Sequence, residues 1–157
     1  MKPKKIEKAI FAAGCFWKPD YYFSKLKGVI KTTAGYSGGR TNNPSYTLVC
    51  TGLTGHAESV LVEFNPKIIT YQELLKAFFE MHDPTTKNRQ GFDIGTQYRS
   101  AIFYYNEEQK RDAEKIKSEY EKKLGKKIVT IIEPAKDFYE AEEYHQKYYE
   151  KKGKTSC

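Results

Sequence analysis

The order in which the periodicity of apolar residues changes along the chain predicts an α+β fold. It is a two-layer sandwich with a ferredoxin-like split βαβ core and a mainly antiparallel sheet. Three observations carry this. Strand-like alternation and helix-like spacing succeed one another as strand, helix, strand, strand, helix, strand, and a further helix, strand and helix follow. At 157 residues the chain has the size of one domain and can bury a core without staples. Charged residues make up 30% and aromatic residues 15%, which reads as soluble and folded, and nothing approaches the apolar length of a membrane span.

Ile6 to Ala13 reads as the first strand. Tyr22, Phe23 and Leu26 then repeat at helical spacing, with Pro19 suited to the first turn and Gly28 to a stop. Val29 to Tyr36 carries β-branched residues and reads as a strand, and Ser37 to Ser45 as a loop by its glycines, asparagines and Pro44. His56 to Phe64 alternates, so Glu58 shares a face with Val60, Val62 and Phe64. Thr70 and Glu73 form a capping box for a helix whose apolar stripe is Leu74, Leu75, Phe78 and Phe79 and which stops at His82-Asp83-Pro84. Residues 85–97 read as a polar loop without periodicity, of a length more often functional than idle. Tyr98 to Tyr105 reads as a strand, Asn106 as the cap of a long helix to Leu124, and Ile128 to Glu133 as another strand. The stretch from about Phe138 to Lys151 reads as a closing helix. One catalytic domain, 1–157, is expected, with 152–157 as a flexible tail.

Composition bounds the function. The net charge is +7, but Lys and Glu interleave from Glu107 to Lys127 as on a solvated helix face. With no single-stranded-binding motif present, this argues against a nucleic-acid module. The apolar run after the basic N-terminus is too short for a signal-peptide core, so a cytoplasmic location, no membrane and a monomer are the expectations. Cys15, Cys50 and Cys157 are too few and scattered for a disulfide framework or a zinc site. In a reducing compartment such thiols are inert or catalytic. Cys50, in a probable loop, reads as a packing residue, and His82 and His145 as capping or packing residues.

Cys15 is the exception. It lies in Gly14-Cys15-Phe16-Trp17, where a strand hands over to a helix, and the unpaired N–H groups of a helix start favour a thiolate. Two large aromatic residues give the sulfur an apolar wall. Glu58, on the apolar face of its strand, is expected to be held protonated by burial and to act as an acid beside the thiolate. Tyr46 and Tyr98 can donate hydrogen bonds to a substrate oxygen. A thiol hydrolase, with His56 as base and Glu58 or Asp93 as orienter, uses some of the same residues but leaves the aromatic pair and Cys157 unexplained.

The chain resembles the A-type peptide methionine sulfoxide reductases from about Lys8 onward. The resemblance is carried by GCFW at 14–17, AGYSGG at 34–39, NPSY at 43–46 and TGHAE at 54–58, then by HDPT at 82–85, NRQG through QYRS at 88–100, and Tyr144 to Tyr148. It implies Cys15 as the nucleophile on the sulfoxide sulfur, and Phe16 and Trp17 as the wall for the substrate methyl. It implies Glu58 as the acid, assisted by Tyr46 and Tyr98, and Asp93 as a holder of the substrate main-chain nitrogen. It further implies a Cys15 sulfenic acid, a Cys15–Cys157 disulfide, and recycling by thioredoxin or another dithiol. Cys157 stands a dozen residues beyond His145, where the family keeps a recycling cysteine. Methionine sulfoxide, free or in proteins, is the implied substrate, and no metal or bound organic cofactor is implied. Two departures stand out: Lys18-Pro19-Asp20 replaces the usual small, apolar and glutamate residues, and Phe92 replaces a usual asparagine before Asp93.

Overall fold

The computed structural model describes residues 6–152; Cys157 and the rest of the expected tail beyond Lys152 lie outside them. The chain runs β1 (Glu7–Ala13), α1 (Trp17–Ser24), β2 (Val29–Ser37), a short α2 (Tyr46–Cys50), β3 (Ala57–Phe64) and α3 (Tyr71–Met81). A two-residue ladder, β4 (Arg89–Gln90) with β5 (Asp93–Ile94), precedes a 3-10 turn at Thr96–Tyr98. Then come β6 (Ser100–Tyr104), α4 (Glu107–Leu124), β7 (Ile131–Pro134), β8 (Tyr139–Glu140) and α5 (Tyr148–Lys152).

Six strands form one sheet in the order β7-β6-β1-β3-β2-β8. All neighbours are antiparallel except β6 and β7, so the mainly antiparallel sheet expected from the sequence is present, with β3 inserted between β1 and β2. One face carries the main core. Phe11, Val62 and Ile102 meet Phe23 of α1, Phe78 of α3 and Ile116 of α4. Phe11 stacks on Phe23 at 5.0 Å and lies 5.3 Å from Phe78; each such ring contributes about 2–3 kcal/mol through burial. The opposite face holds a smaller cluster of Ile10, Ala12, Ala57, Ala101 and Phe103, covered by Ala135 and Phe138 rather than by a helix. That makes two layers.

The caps fall where the sequence puts them. Thr70 and Glu73 bond reciprocally, each backbone N–H donating to the other's side chain at 3.1 Å. The Asn106 side chain accepts the Gln109 N–H at 2.9 Å. Pro19 sits within the first turn of α1, where its missing N–H is harmless.

Four expectations need correction. The closing helix is not one: 138–147 forms β8 and a 3-10 turn, and only Tyr148–Lys152 is helical. Its polar side chains bond inward one after another, which a helix cannot arrange. Glu142 accepts from Tyr36 and Tyr46, Gln146 exchanges two hydrogen bonds of 2.8 Å with the Ala34 backbone, and Lys147 turns at φ 53° onto Asp20. The 85–97 loop contains the β4–β5 hairpin, and Tyr98 belongs to the 3-10 turn rather than to β6. Residues 46–50 are helical, started by the Ser45 side chain accepting the Leu48 N–H, so Cys50 is not in a loop. The strand expected from Ile128 begins at Ile131, because the Ile128 and Val129 N–H groups are used by Glu121 and Pro84.

Candidate active site

β1 ends at Ala13 and α1 begins at Trp17, so Gly14-Cys15-Phe16 turns a buried strand into a helix. Gly14 has φ 84°, and a Cβ there would lie 2.7 Å from that of Gln90; only glycine fits. Cys15 precedes the helix N-cap, Phe16, and is half-buried beside the positive end of α1. The sheet brings the acid to it. Phe11 faces Val60 across β1 and β3, and continuing that register sets Glu58 level with Ala13, at the mouth of the Cys15 turn. Glu58 is 1% exposed, and its Oε1 accepts the Phe16 N–H at 3.2 Å. A slip of one residue in this pairing would move Glu58 to the opposite face.

Two phenols complete the polar side. Tyr46 opens α2, where its backbone N–H donates to Glu142 Oε2 at 3.0 Å. Burial first, then a hydrogen bond to the Cys50 sulfur and the charge of Glu58, push the Tyr46 hydroxyl well above the ordinary phenol range. Tyr98 is raised likewise, by burial first and then by Glu58, Cys50, Asp93 and Cys15. Both therefore remain hydrogen-bond donors at any physiological pH. These neighbours also bring Cys50 to the site, whereas the sequence suggests only packing. Its thiol is itself pushed up, first by burial and then by the charges of Glu58 and Glu142, against the lowering effect of Tyr46.

The apolar side is Phe16 and Trp17, the pair singled out in the sequence, backed by rings that sequence reasoning did not assign to the site. Phe16 is fully buried, 5.7 Å from the Tyr36 ring and 5.1 Å from that of His145. Trp17 stacks face to face on Tyr148 at 3.7 Å, and its indole N–H donates to His145 Nδ1 at 3.0 Å. An indole can only donate, so the proton of the neutral imidazole sits on Nε2. His145 is 1% exposed, and burial holds it below the usual histidine range. The signal for this was the Tyr144 to Tyr148 block, whose histidine lacks metal-ligand spacing.

Asp93, Phe92, Gln90 and Lys18 line a cleft of about 400 Å³ with Cys15. A larger groove of about 670 Å³ adjoins it through Lys18 and Gln90 but contains no nucleophile. The structure therefore gathers Cys15, Glu58, Tyr46, Tyr98, Phe16, Trp17 and Asp93 around one end of the sheet, and Cys157 lies outside the described residues. His56 is not a base for Cys15. Its Nδ1 accepts the Gly39 N–H and its Nε2 donates to the Thr41 carbonyl, at 3.0 and 2.7 Å. Among the described residues no group of three or more His, Cys, Asp or Glu side chains could hold a metal ion.

Known proteins resemble this chain over nearly its whole length. Residues 7–157 match the family model described as peptide methionine sulfoxide reductase. A peptide methionine sulfoxide reductase MsrA of Sulfolobus acidocaldarius is 55% identical over 93% of this chain and 83% of its own length. The crystal structure of reduced Mxr1 from Saccharomyces cerevisiae superposes with a TM-score of 0.92 at 42% identity, covering 99% of this chain and 91% of Mxr1. Mxr1 in complex with Trx2 gives 0.68 at 34% identity, over 94% and 87%. On the family match, on this identity over nearly the whole chain and on the shared fold, the chain belongs to the peptide methionine sulfoxide reductase family.

Proposed function

We propose that the protein reduces methionine S-sulfoxide, free or in polypeptides, to methionine as an oxidative-damage repair enzyme of the cytoplasm. The observation that carries the reading is the Cys15 thiol at the start of α1 next to a buried carboxyl, Glu58, which shares the Phe16 N–H turn with it. A sulfoxide is a polar S=O on an otherwise apolar side chain. Its reduction needs a soft nucleophile, a proton for oxygen and an apolar seat for the methyl.

The Cys15 thiolate attacks the sulfoxide sulfur while Glu58 gives a proton to the oxygen, with the Tyr46 and Tyr98 hydroxyls holding that oxygen. Phe16 and Trp17 seat the methyl, and Asp93 accepts the main-chain N–H. The oxygen ends on Cys15 as a sulfenic acid and methionine leaves, so the thiol is oxidised by two electrons and the sulfoxide reduced by two. The Cys157 thiol then condenses with the sulfenic acid, releasing water and forming a Cys15–Cys157 disulfide. Thioredoxin or another dithiol reduces that disulfide by exchange, a step supported by the yeast relative crystallised with Trx2. One catalytic domain, acting as a monomer, suffices for these steps, and no metal or organic cofactor enters them.

Two measurements test this. With dithiothreitol as reductant, the S epimer should be consumed and the R epimer left, and Cys15→Ser should abolish turnover. With thioredoxin as the only reductant, Cys157→Ser should form one equivalent of methionine per enzyme and then stall. Sustained thioredoxin-driven turnover in that variant would move the resolving role to Cys50 or to direct reduction of the sulfenic acid.

A further inference from the structure

Phe92 is 101% exposed, the most exposed large apolar side chain among the described residues. It stands at the tip of the β4–β5 hairpin, where Gly91 takes φ 59°. A two-residue turn of this kind needs the glycine for its backbone, but position 92 accepts any polar residue. Isolated exposed apolar residues are common and need no explanation. This one differs in its location: Phe92 lines the same cleft as Cys15 and adjoins Asp93. Ile94, 69% exposed, extends the apolar edge of the same hairpin.

The hairpin that carries the ring is firmly held. Gln90 accepts the Asp83 N–H at 2.7 Å and donates to the Asp83 carbonyl at 2.8 Å. The Gly95 N–H donates to the Asn88 carbonyl, and Arg89 Nη2 donates to the Gly91 carbonyl, both at 2.9 Å. An apolar ring presented to water by a held backbone at the lip of a reactive cleft gains by being covered. A polypeptide carries side chains on both sides of the sulfoxide that a free amino acid lacks, and Phe92 stands next to Asp93 on the cleft that Cys15 lines.

We infer that Phe92 is a specificity-determining residue. Its ring takes a large apolar side chain flanking methionine sulfoxide, which directs the protein to oxidised methionines in exposed apolar stretches of polypeptide. The inference rests on the reductase reading above and names the substrate class of that site.

The test uses the full chain with dithiothreitol and three substrates: N-acetylmethionine S-sulfoxide amide, a short peptide with leucines on both sides of methionine S-sulfoxide, and the same peptide with serines. The wild-type protein should favour the leucine peptide over the serine peptide by about 5- to 20-fold in kcat/KM, the effect of partly covering one aromatic ring. Phe92→Ser should bring that ratio near one, with the change falling on KM, and Phe92→Leu should restore most of it. A ratio near one in the wild-type protein, or an unchanged ratio in Phe92→Ser, overturns the inference. So does a Phe92→Ser defect seen only when thioredoxin replaces dithiothreitol, as a raised KM for thioredoxin, which would make the ring a contact for the reductant. Failure of every form to reduce the small amide would instead overturn the reductase reading.

Discussion

Glu58 accepts the N–H of the residue that follows Cys15 and is almost wholly removed from water. Glutamine in its place keeps the volume and an acceptor for that N–H but has no proton to give. Glu58→Gln should therefore slow the first reduction step by about 10²–10⁴-fold, the usual weight of a general acid. Methionine formed in a single turnover without reductant measures this step, and a near-wild-type rate at neutral pH would make Tyr46 or Tyr98 the proton source. Cys15 and Glu58 were legible in the sequence because each has a local signature: a cysteine between a strand and a helix, and an acid on the apolar side of an alternating strand. The packing of His145 was legible but its partner was not, and neither was the place of Cys50. The partner of His145 is 128 positions away in sequence, and Cys50 gains its meaning from the Tyr46 hydroxyl, which only the turn of α2 brings over it.

At the scale of elements, the segment after β8 decides how the Trp17 wall is held. Asp20 of α1 is fully buried and accepts from Thr32 Oγ1 at 2.6 Å, from the Lys147 backbone N–H at 2.9 Å and from Lys147 Nζ at 3.1 Å. Lys147 thus reaches down from the segment after β8 to the carboxylate of α1. Lys147 lies in sequence between His145 and Tyr148, which with Tyr149 are rings against Trp17. A helical pattern is visible in the sequence of this segment, but bonding of consecutive polar side chains to three different elements leaves no trace in periodicity. Asp20→Asn would set an amide N–H₂ against the ammonium and remove the charge beneath it. Lys147 is one-third exposed (33%), so the cost should be about 2 kcal/mol, below the full penalty for breaking a buried pair. Urea denaturation measures it. The chain has one tryptophan, so its emission reports Trp17 alone and should shift to the red in the native variant as the wall loosens. Unchanged emission together with an unchanged midpoint would mean that Asp20 does not hold the segment.

Over the whole molecule, the central strands were legible as elements, β3 by its alternation and β2 by its β-branched residues. The additions at the sheet's edges were not, since a two-residue β8 has no period to detect and β7 pairs in parallel only after α4 has crossed over. One histidine joins these layers. His82, just past α3, donates from Nδ1 to the Phe78 carbonyl at 2.6 Å and accepts at Nε2 from Ser100 Oγ of β6 at 2.8 Å. Ser100 in turn meets Thr130 Oγ1 at 2.7 Å. A protonated ring would carry a second N–H toward Ser100 and would reverse that relay. Burial, outweighing the Phe78 carbonyl and the nearby Asp83, and aided by Lys18, pushes His82 down to about 4. In the unfolded chain a histidine titrates near 6.5. Between those values the unfolded state takes up a proton that the folded state refuses. Stability should therefore be fully present above about pH 6.5 and fall as the pH drops toward 4, by on the order of 2 kcal/mol for a ring that keeps some contact with solvent. His145, also lowered, adds in the same sense, whereas Asp83, a lowered carboxyl, acts only in the more acidic range. Urea midpoints at pH 7, 6, 5 and 4.5 should trace the decline in the wild-type protein, and His82→Gln, which can donate and accept but cannot titrate in this range, should flatten most of it whatever its stability at pH 7. Equal slopes in the two proteins would remove His82 as the cause and leave the decline to His145 and the surface carboxylates.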